Sequence, residues 1–221
     1  MKTVHRTLYR AQSRPGQETA AVAHFQRAVV AIQRKLDQGD LLTASLFHWR
    51  SHFFAYWEGL QQPIAPEELF GEMTDLLEVW PGADTPRTFV PMIDIFHWQA
   101  PVDVDHWRRQ QPVERPQGRI TRLKPAMVSS YIFYHYQLQE EKPGSNDKYG
   151  LIGMHENLLF FYQELPTVVE TAPYAGKLTT KNTPDDWHGT MFPHFILWDD
   201  TPPGEEIWRQ VAVLFHGKGV C

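Results

Sequence analysis

Cysteine is almost absent from this chain of 221 residues: the single one, Cys221, is also the last residue. An internal disulfide is therefore excluded, and so is a zinc site built on thiolates. Long apolar runs are missing as well. No stretch has the length that crosses a bilayer, and Met1-Lys2-Thr3-Val4-His5-Arg6 leads into more polar residues without a signal-type apolar block. The expectation is a cytoplasmic protein that engages no membrane. Charge of one sign is also scarce, with 21 Lys and Arg against 26 Asp and Glu and a net charge of -5. Such a balance gives no field that would recruit phosphate backbones, so nucleic acid is not an expected partner. Neither a glycine-rich phosphate loop nor a Gly-x-Ser-x-Gly elbow occurs, and no cofactor is expected. His48 and His52 stand four apart, but their segment reads as a hairpin and no carboxylate shares the pattern, so no metal is expected either.

What the chain does have is apolar and aromatic mass, and an internal echo. A 42% hydrophobic fraction with 13% aromatic residues calls for a packed core. Asp94-Ile95-Phe96-His97 near the middle is matched by Val213-Leu214-Phe215-His216 near the end. Each is preceded by an apolar hairpin segment, His52-Phe53-Phe54-Ala55-Tyr56-Trp57-Glu58 in the first half and Asn157-Leu158-Leu159-Phe160-Phe161-Tyr162-Gln163-Glu164 in the second. Similarity at a period near half the chain implies one supersecondary unit used twice. The domain reading is a first repeat over 1–99, a linker over 100–117 with prolines at 101, 112 and 116, and a second repeat over 118–221.

Within the first repeat, Thr3 to Ala11 reads as a strand. Ser13, Arg14, Pro15 and Gly16 break it. Val22, Phe25, Val29, Ile32 and Leu36 then mark one face of a helix over 17–38, which Gly39 ends. Leu41 to His48 and His52 to Leu60 read as a strand pair, Pro66 to Trp80 as a second helix, and Thr88 to Trp98 as the closing strand. This order is β-α-β-β-α-β, the ferredoxin-like unit, an antiparallel sheet with both helices on one face. The fold class expected is therefore α+β, with the two units pairing as an intramolecular dimeric α/β barrel. In the second repeat, strands are expected at 118–123, 149–154, 158–165 and 207–217. The stretch 126–141 is ambiguous. Val128, Tyr131, Ile132, Phe133, Tyr134 and Tyr136 favour strand by propensity, while Met127, Tyr131, Tyr134, His135 and Leu138 form a helical stripe, and helix is the reading adopted. Residues 167–192 are poorly patterned.

These residues resemble the L-rhamnose mutarotase family, small dimeric α/β-barrel proteins that interconvert sugar anomers. Lys124-Pro125 followed by Tyr131-Ile132-Phe133-Tyr134-His135 is similar to the family's proline turn and Tyr-x-x-x-His helix. Asn157-Leu158-Leu159-Phe160-Phe161 resembles its Asn-Leu-Leu-Phe-Ala hairpin. Trp187-His188-Gly189-Thr190-Met191 resembles its Trp-Trp-x-x-Met, with histidine at the second tryptophan. In the first half His24 lies at a comparable helical position, but Ala20 stands where the family has tyrosine. The resemblance implies a rhamnose-type isomerase acting without a cofactor, with a working site in the second repeat. His135 and Tyr131 are its expected catalytic pair, and Trp187, His188 and His24 its expected sugar contacts.

Chemistry gives an independent reason to group three of them. Anomer exchange needs a proton delivered to the ring oxygen while another leaves the anomeric hydroxyl. Histidine can do either near neutral pH, tyrosine one helical turn away points the same way, and tryptophan offers a flat wall for a sugar. Against this stands the ordinary fate of tyrosine and histidine on an apolar stripe, which is to be core. The alternative function is a binding module for a small sugar or other polar ligand. Cofactor-free oxidation of an aromatic substrate, as in other members of that superfold, is a third reading. The expected partner is a small-molecule sugar, and homodimer formation is left open.

Overall fold

The computed structural model describes residues 3–82 and 85–219; Met1, Lys2 and Cys221, on which readings above fell, lie outside the described residues. In chain order the elements are β1 (Val4–Gln12), α1 (Glu18–Asp37), β2 (Leu41–Trp49), β3 (His52–Leu60), α2 (Pro66–Phe70), β4 (Val90–Pro91), β5 (Ile93–His97), α3 (Val104–Trp107), β6 (Arg115–Leu123), α4 (Val128–Glu141), β7 (Leu151–His155), β8 (Leu158–Leu165), α5 (Trp187–Met191), β9 (Phe195–Ile196) and β10 (Arg209–Lys218). The class is α+β, as expected, and the strand pairings are antiparallel. Among the described residues no helix is long and apolar enough to cross a membrane.

The chain forms two compact units. One takes the described residues of Met1–Met92, Pro101–Gln110 and Ala212–Cys221, and the other takes Ile93–Ala100 and Gln111–Val211. These boundaries differ from a simple division into halves with a linker between, because each unit holds a strand from the far end of the other half.

In the first unit the strand order is β4-β1-β3-β2, followed by the Ala212–Lys218 part of β10. α1 buries Ala21, Phe25, Ile32 and Leu36 against Ala44, Leu46, Phe53, Ala55 and Trp57, which supply the sheet side of the core. Gly39, with φ of 74°, ends the helix in the left-handed conformation that other residues rarely take. The second helix is far shorter than the expected Pro66–Trp80. Gly71, with φ of 68°, stops α2 after Phe70, and Met73 and Leu77 are buried from irregular backbone instead.

The expected closing strand over 88–98 is really two strands. Val90–Pro91 pairs with β1, the place where a ferredoxin-like unit closes, but Ile93–His97 belongs to the second unit and pairs with β7. The stretch expected as a linker is likewise packed. Trp107 of α3 is fully buried in the first unit, and β6 already begins at Arg115. Trp107 is held there by Glu58, whose carboxylate has no solvent exposure. It accepts from Tyr56 Oη at 2.6 Å, from Trp107 Nε1 at 2.8 Å and from Arg109 Nη2 at 2.8 Å, and forms an ion pair with Arg109 Nη1.

A buried carboxylate is tolerable only while those donors are in place. Arg109→Met is expected to destabilise the protein by about 3 kcal/mol or more, because it leaves the Glu58 charge buried without its counterion. Urea unfolding near neutral pH checks this, and a loss well under about 1 kcal/mol would show the pair to be dispensable.

Candidate functional site

In the second unit the strands run β10-β6-β8-β7-β5, with β9 also on β6. Side chains alternate between faces along a strand, so the register decides which residues share a face. Here Gln210 stands opposite Arg119, Arg119 opposite Phe161, Phe161 opposite Ile152, and Ile152 opposite Phe96. This single cross-strand row, from Gln210 to Phe96, forms part of the wall of a cavity of about 810 Å³. That size lies within the roughly 300–1,000 Å³ of ordinary small-molecule sites.

α4 supplies the opposite wall. After the proline turn at Pro125–Met127, the helix places Tyr131, His135 and Leu138 on one face, and all three line the cavity. The helical stripe thus outweighs the strand propensity of the same residues. The tyrosine and histidine rings lie 4.0 Å apart between centroids at 30°. Phe96 stands edge-on to His135 at 5.1 Å, and Trp187 edge-on at 4.9 Å. His135 is 5% exposed and Tyr131 is 1% exposed.

This aromatic enclosure sets the protonation states. Burial drives the His135 pKa down to about 4; a hydrogen bond to the backbone of Tyr131 opposes this and nearby His194 adds to it. Burial also raises the Tyr131 hydroxyl well above its usual range. Near neutral pH both groups are therefore uncharged. His135 Nδ1 lies 2.9 Å from the Tyr131 carbonyl oxygen, which can only accept, so the proton sits on Nδ1 and Nε2 is left as an acceptor. Among the described residues no group engages Nε2, the Tyr131 hydroxyl or the Trp187 indole N–H. The site thus offers a ligand a neutral donor and a neutral acceptor side by side. His194 is not available in this way: it is buried and bonded through both ring nitrogens, to Ser130 Oγ at 2.8 Å and to the Met191 carbonyl at 3.2 Å.

Trp187 reaches the cavity at the end of the segment that has no hydrophobic pattern. Hydrogen bonds from the end of α4 hold that segment. Glu140 accepts from Lys177 N at 2.8 Å. Glu141 accepts from Thr180 Oγ1 at 2.6 Å, Asn182 N at 2.9 Å, Thr183 N at 2.9 Å and Thr183 Oγ1 at 2.5 Å. The approach is close enough that a Cβ at Gly176 would lie 2.0 Å from the Glu140 carbonyl oxygen. Asp186 then caps α5 by accepting from Gly189 N at 2.8 Å, and Trp187 is its first residue.

Of the residues singled out from sequence, Tyr131, His135, Trp187 and His188 all line this cavity. His24 does not. It sits in the first unit with Nε2 2.7 Å from the Phe70 carbonyl oxygen, a partner that occupies it structurally. Glu205 and Glu206 also line the cavity, Glu205 half-buried and Glu206 exposed. Sequence reasoning passed over Arg119, Phe96, Trp98 and Trp208. Strand alternation was the available signal for Arg119, which shares the face of Leu123 four residues on.

No family model matches the chain, and no curated protein matches it. Among solved structures it is similar to a Fusobacterium nucleatum protein described as "Putative monooxygenase", with 10% identity over 97% of this chain and 94% of that one and a TM-score of 0.41. At that level nothing about reaction or substrate passes from that protein to this chain.

Two expectations follow from the geometry. Because the folded protein binds the His135 proton less tightly than the unfolded chain does, the stability it contributes is complete above about pH 6.5 and lost as pH falls towards about 4, a difference of about 3 kcal/mol. Urea unfolding of wild type and His135→Leu across that window should show a steeper decline for wild type, and parallel curves would contradict the burial argument. Glu141→Ala is expected to raise amide hydrogen exchange at Asn182 and Thr183 by about 10-fold or more, since both N–H groups lose their acceptor. Unchanged protection would mean that the segment is held by other contacts.

Proposed function

We propose that the protein is a cofactor-independent sugar mutarotase of the rhamnose type, working in the cavity of the second unit. The observation that carries the reading is the pairing of a neutral hydroxyl donor, Tyr131, with a neutral imidazole acceptor, His135 Nε2, in one cavity beside the Trp187 indole. The motif resemblance around Lys124-Pro125, Tyr131 and His135 supports it as well. Tyr131 donates its proton to the ring oxygen while Nε2 takes the proton of the anomeric hydroxyl. The bond between the ring oxygen and the anomeric carbon breaks as the carbonyl forms. Rotation about the adjacent carbon–carbon bond presents the other carbonyl face, the ring oxygen attacks it, and both protons return.

The two transfers must be closely coupled. A separated phenolate and imidazolium would be costly in an apolar enclosure, whereas a coupled shift keeps the site near neutral throughout. Trp187 serves as a platform for the carbon–hydrogen face of the sugar, and His188 at the exposed edge contacts its hydroxyls. On this reading the two units are copies of one ferredoxin-like module, a duplication forming an intramolecular dimeric α/β barrel in a cytoplasmic protein. Matching hairpins support the duplication: Tyr56 donates to Glu58 at 2.6 Å and Tyr162 donates to Glu164 at 2.7 Å, each two residues apart on β3 and β8.

A second reading is favoured by one specific observation. An imidazole with its pKa near 4 is a weak base, which suits a binding module that holds a hydroxyl without turning it over.

Saturation-transfer NMR with L-rhamnose and related single-anomer deoxysugars tests both. Catalysis is expected to give exchange above buffer, lost by about 100-fold or more in His135→Ala and strongly reduced in Tyr131→Phe. The rate should hold from neutral pH down to about 5 and fall only near the His135 pKa of about 4. A fall centred at about 6.5 would remove His135 as the base. Thermal stabilisation by sugar with no exchange would replace the mutarotase by the binding module.

A further inference from the structure

One end of the cavity wall is ionic, and the proton-transfer chemistry makes no use of it. Arg119, Glu205 and Glu206 all line the cavity together with Gln210. Arg119 is half-buried and donates through Nη2 to Gln117 Oε1 at 2.8 Å, and among the described residues it makes no ion pair. Among the described residues the Glu205 carboxylate accepts only from Gln210 N at 3.2 Å, and the Glu206 carboxylate only from Gly204 N at 2.8 Å. A guanidinium has five N–H donors and a carboxylate about four acceptor sites, so most of this capacity is uncommitted.

The arrangement selects a ligand chemistry. Arg119 asks for acceptors and Glu205 for donors, and among the described residues the two face one cavity with no ion pair between them, although Glu205 lies near enough to favour the Arg119 charge. A hydroxyl is both, and a pair of adjacent hydroxyls fits the fork of a guanidinium while its protons go to a carboxylate. A ligand carboxylate or phosphate would satisfy Arg119 but meet two glutamates. A hydrocarbon would satisfy neither and would desolvate both. The location fits as well: Arg119 lies in the same cross-strand row as Phe96, the ring against His135, with Phe161 and Ile152 between them. Polar recognition and proton transfer therefore share one cavity, along an apolar floor.

We propose that Arg119 and Glu205 form a diol-reading subsite that selects neutral polyhydroxylated ligands over acidic ones. It rests on the sugar reading of this cavity. It also goes further, in making Arg119 and Glu205 the residues that set specificity.

The test uses the full chain and three probes: L-rhamnose, a rhamnose analogue lacking two adjacent ring hydroxyls, and galacturonic acid. Binding is read by tryptophan fluorescence and turnover by anomer exchange. Arg119→Met is expected to weaken rhamnose binding by about 10-fold or more, and to act on KM more than on kcat, because a charged hydrogen bond to the ligand is lost. The same variant should leave binding of the deoxygenated analogue unchanged, and wild type should bind galacturonic acid more weakly than rhamnose. Glu205→Gln at the rim should repeat the loss for rhamnose while improving galacturonic acid, and it decides the matter should Arg119→Met fail to fold. Binding losses in the variants without exchange in wild type would sustain the subsite and remove the mutarotase. Exchange in wild type that neither variant disturbs would sustain the mutarotase and remove the subsite. Preference of wild type for galacturonic acid, or no response to any of the three probes, would overturn the proposal.

Discussion

The antiparallel register of β10, β6, β8, β7 and β5 is the constraint on which the site depends. It sets Gln210, Arg119, Phe161, Ile152 and Phe96 in one row facing α4. A slip of one residue on any of these strands would turn its member of the row to the opposite face, because side chains alternate along a strand. Burial of Leu123, Ile152 and Leu159 on the same face makes such a slip expensive, so the packing of the core and the shape of the cavity are settled together. α4 then has one way to lie, with Tyr131, His135 and Leu138 towards the row.

From that packing the electrostatics follow. Phe96, Trp187 and Tyr131 surround the imidazole of His135 and remove water from it, which holds it neutral; the same enclosure keeps the phenol protonated. Aromatic packing and chemical capacity are therefore one property here. A looser enclosure would make His135 a better base near neutral pH but would admit water to compete for its free nitrogen. The ionic groups stand apart from this region, at the Arg119 end of the row, where solvent reaches Glu206.

How far all this was legible varied with the kind of force involved. α1, the two hairpins and α4 could be read because apolar periodicity and glycine stops act locally, as at Gly39 and along Tyr131, His135 and Leu138. Pairing partners were less legible. An apolar run such as Ile93–His97 announces a strand but not its neighbour, and so the strand expected to close the first repeat lies against β7 in the second unit. α2 ended early at a glycine that was visible but outweighed by the apolar residues after it. The segment 177–183 carried no pattern because the carboxylates of Glu140 and Glu141 hold it, and hydrogen bonds to loop amides leave no hydrophobic period. The trio of Tyr131, His135 and Trp187 could be grouped from motif and chemistry, while Arg119 was hidden because a charged residue on a strand reads as facing solvent.

Everything chemical in this account rests on an uncharged imidazole whose Nε2 is free to accept within the cavity. Imidazole nitrogen NMR of His135 in the intact protein at about pH 6 examines that state directly. The expected result is a proton on Nδ1, an unprotonated Nε2, and a shift of the Nε2 signal alone when a neutral deoxysugar is added. A doubly protonated ring at that pH, or a proton on Nε2 with Nδ1 bare, would contradict it.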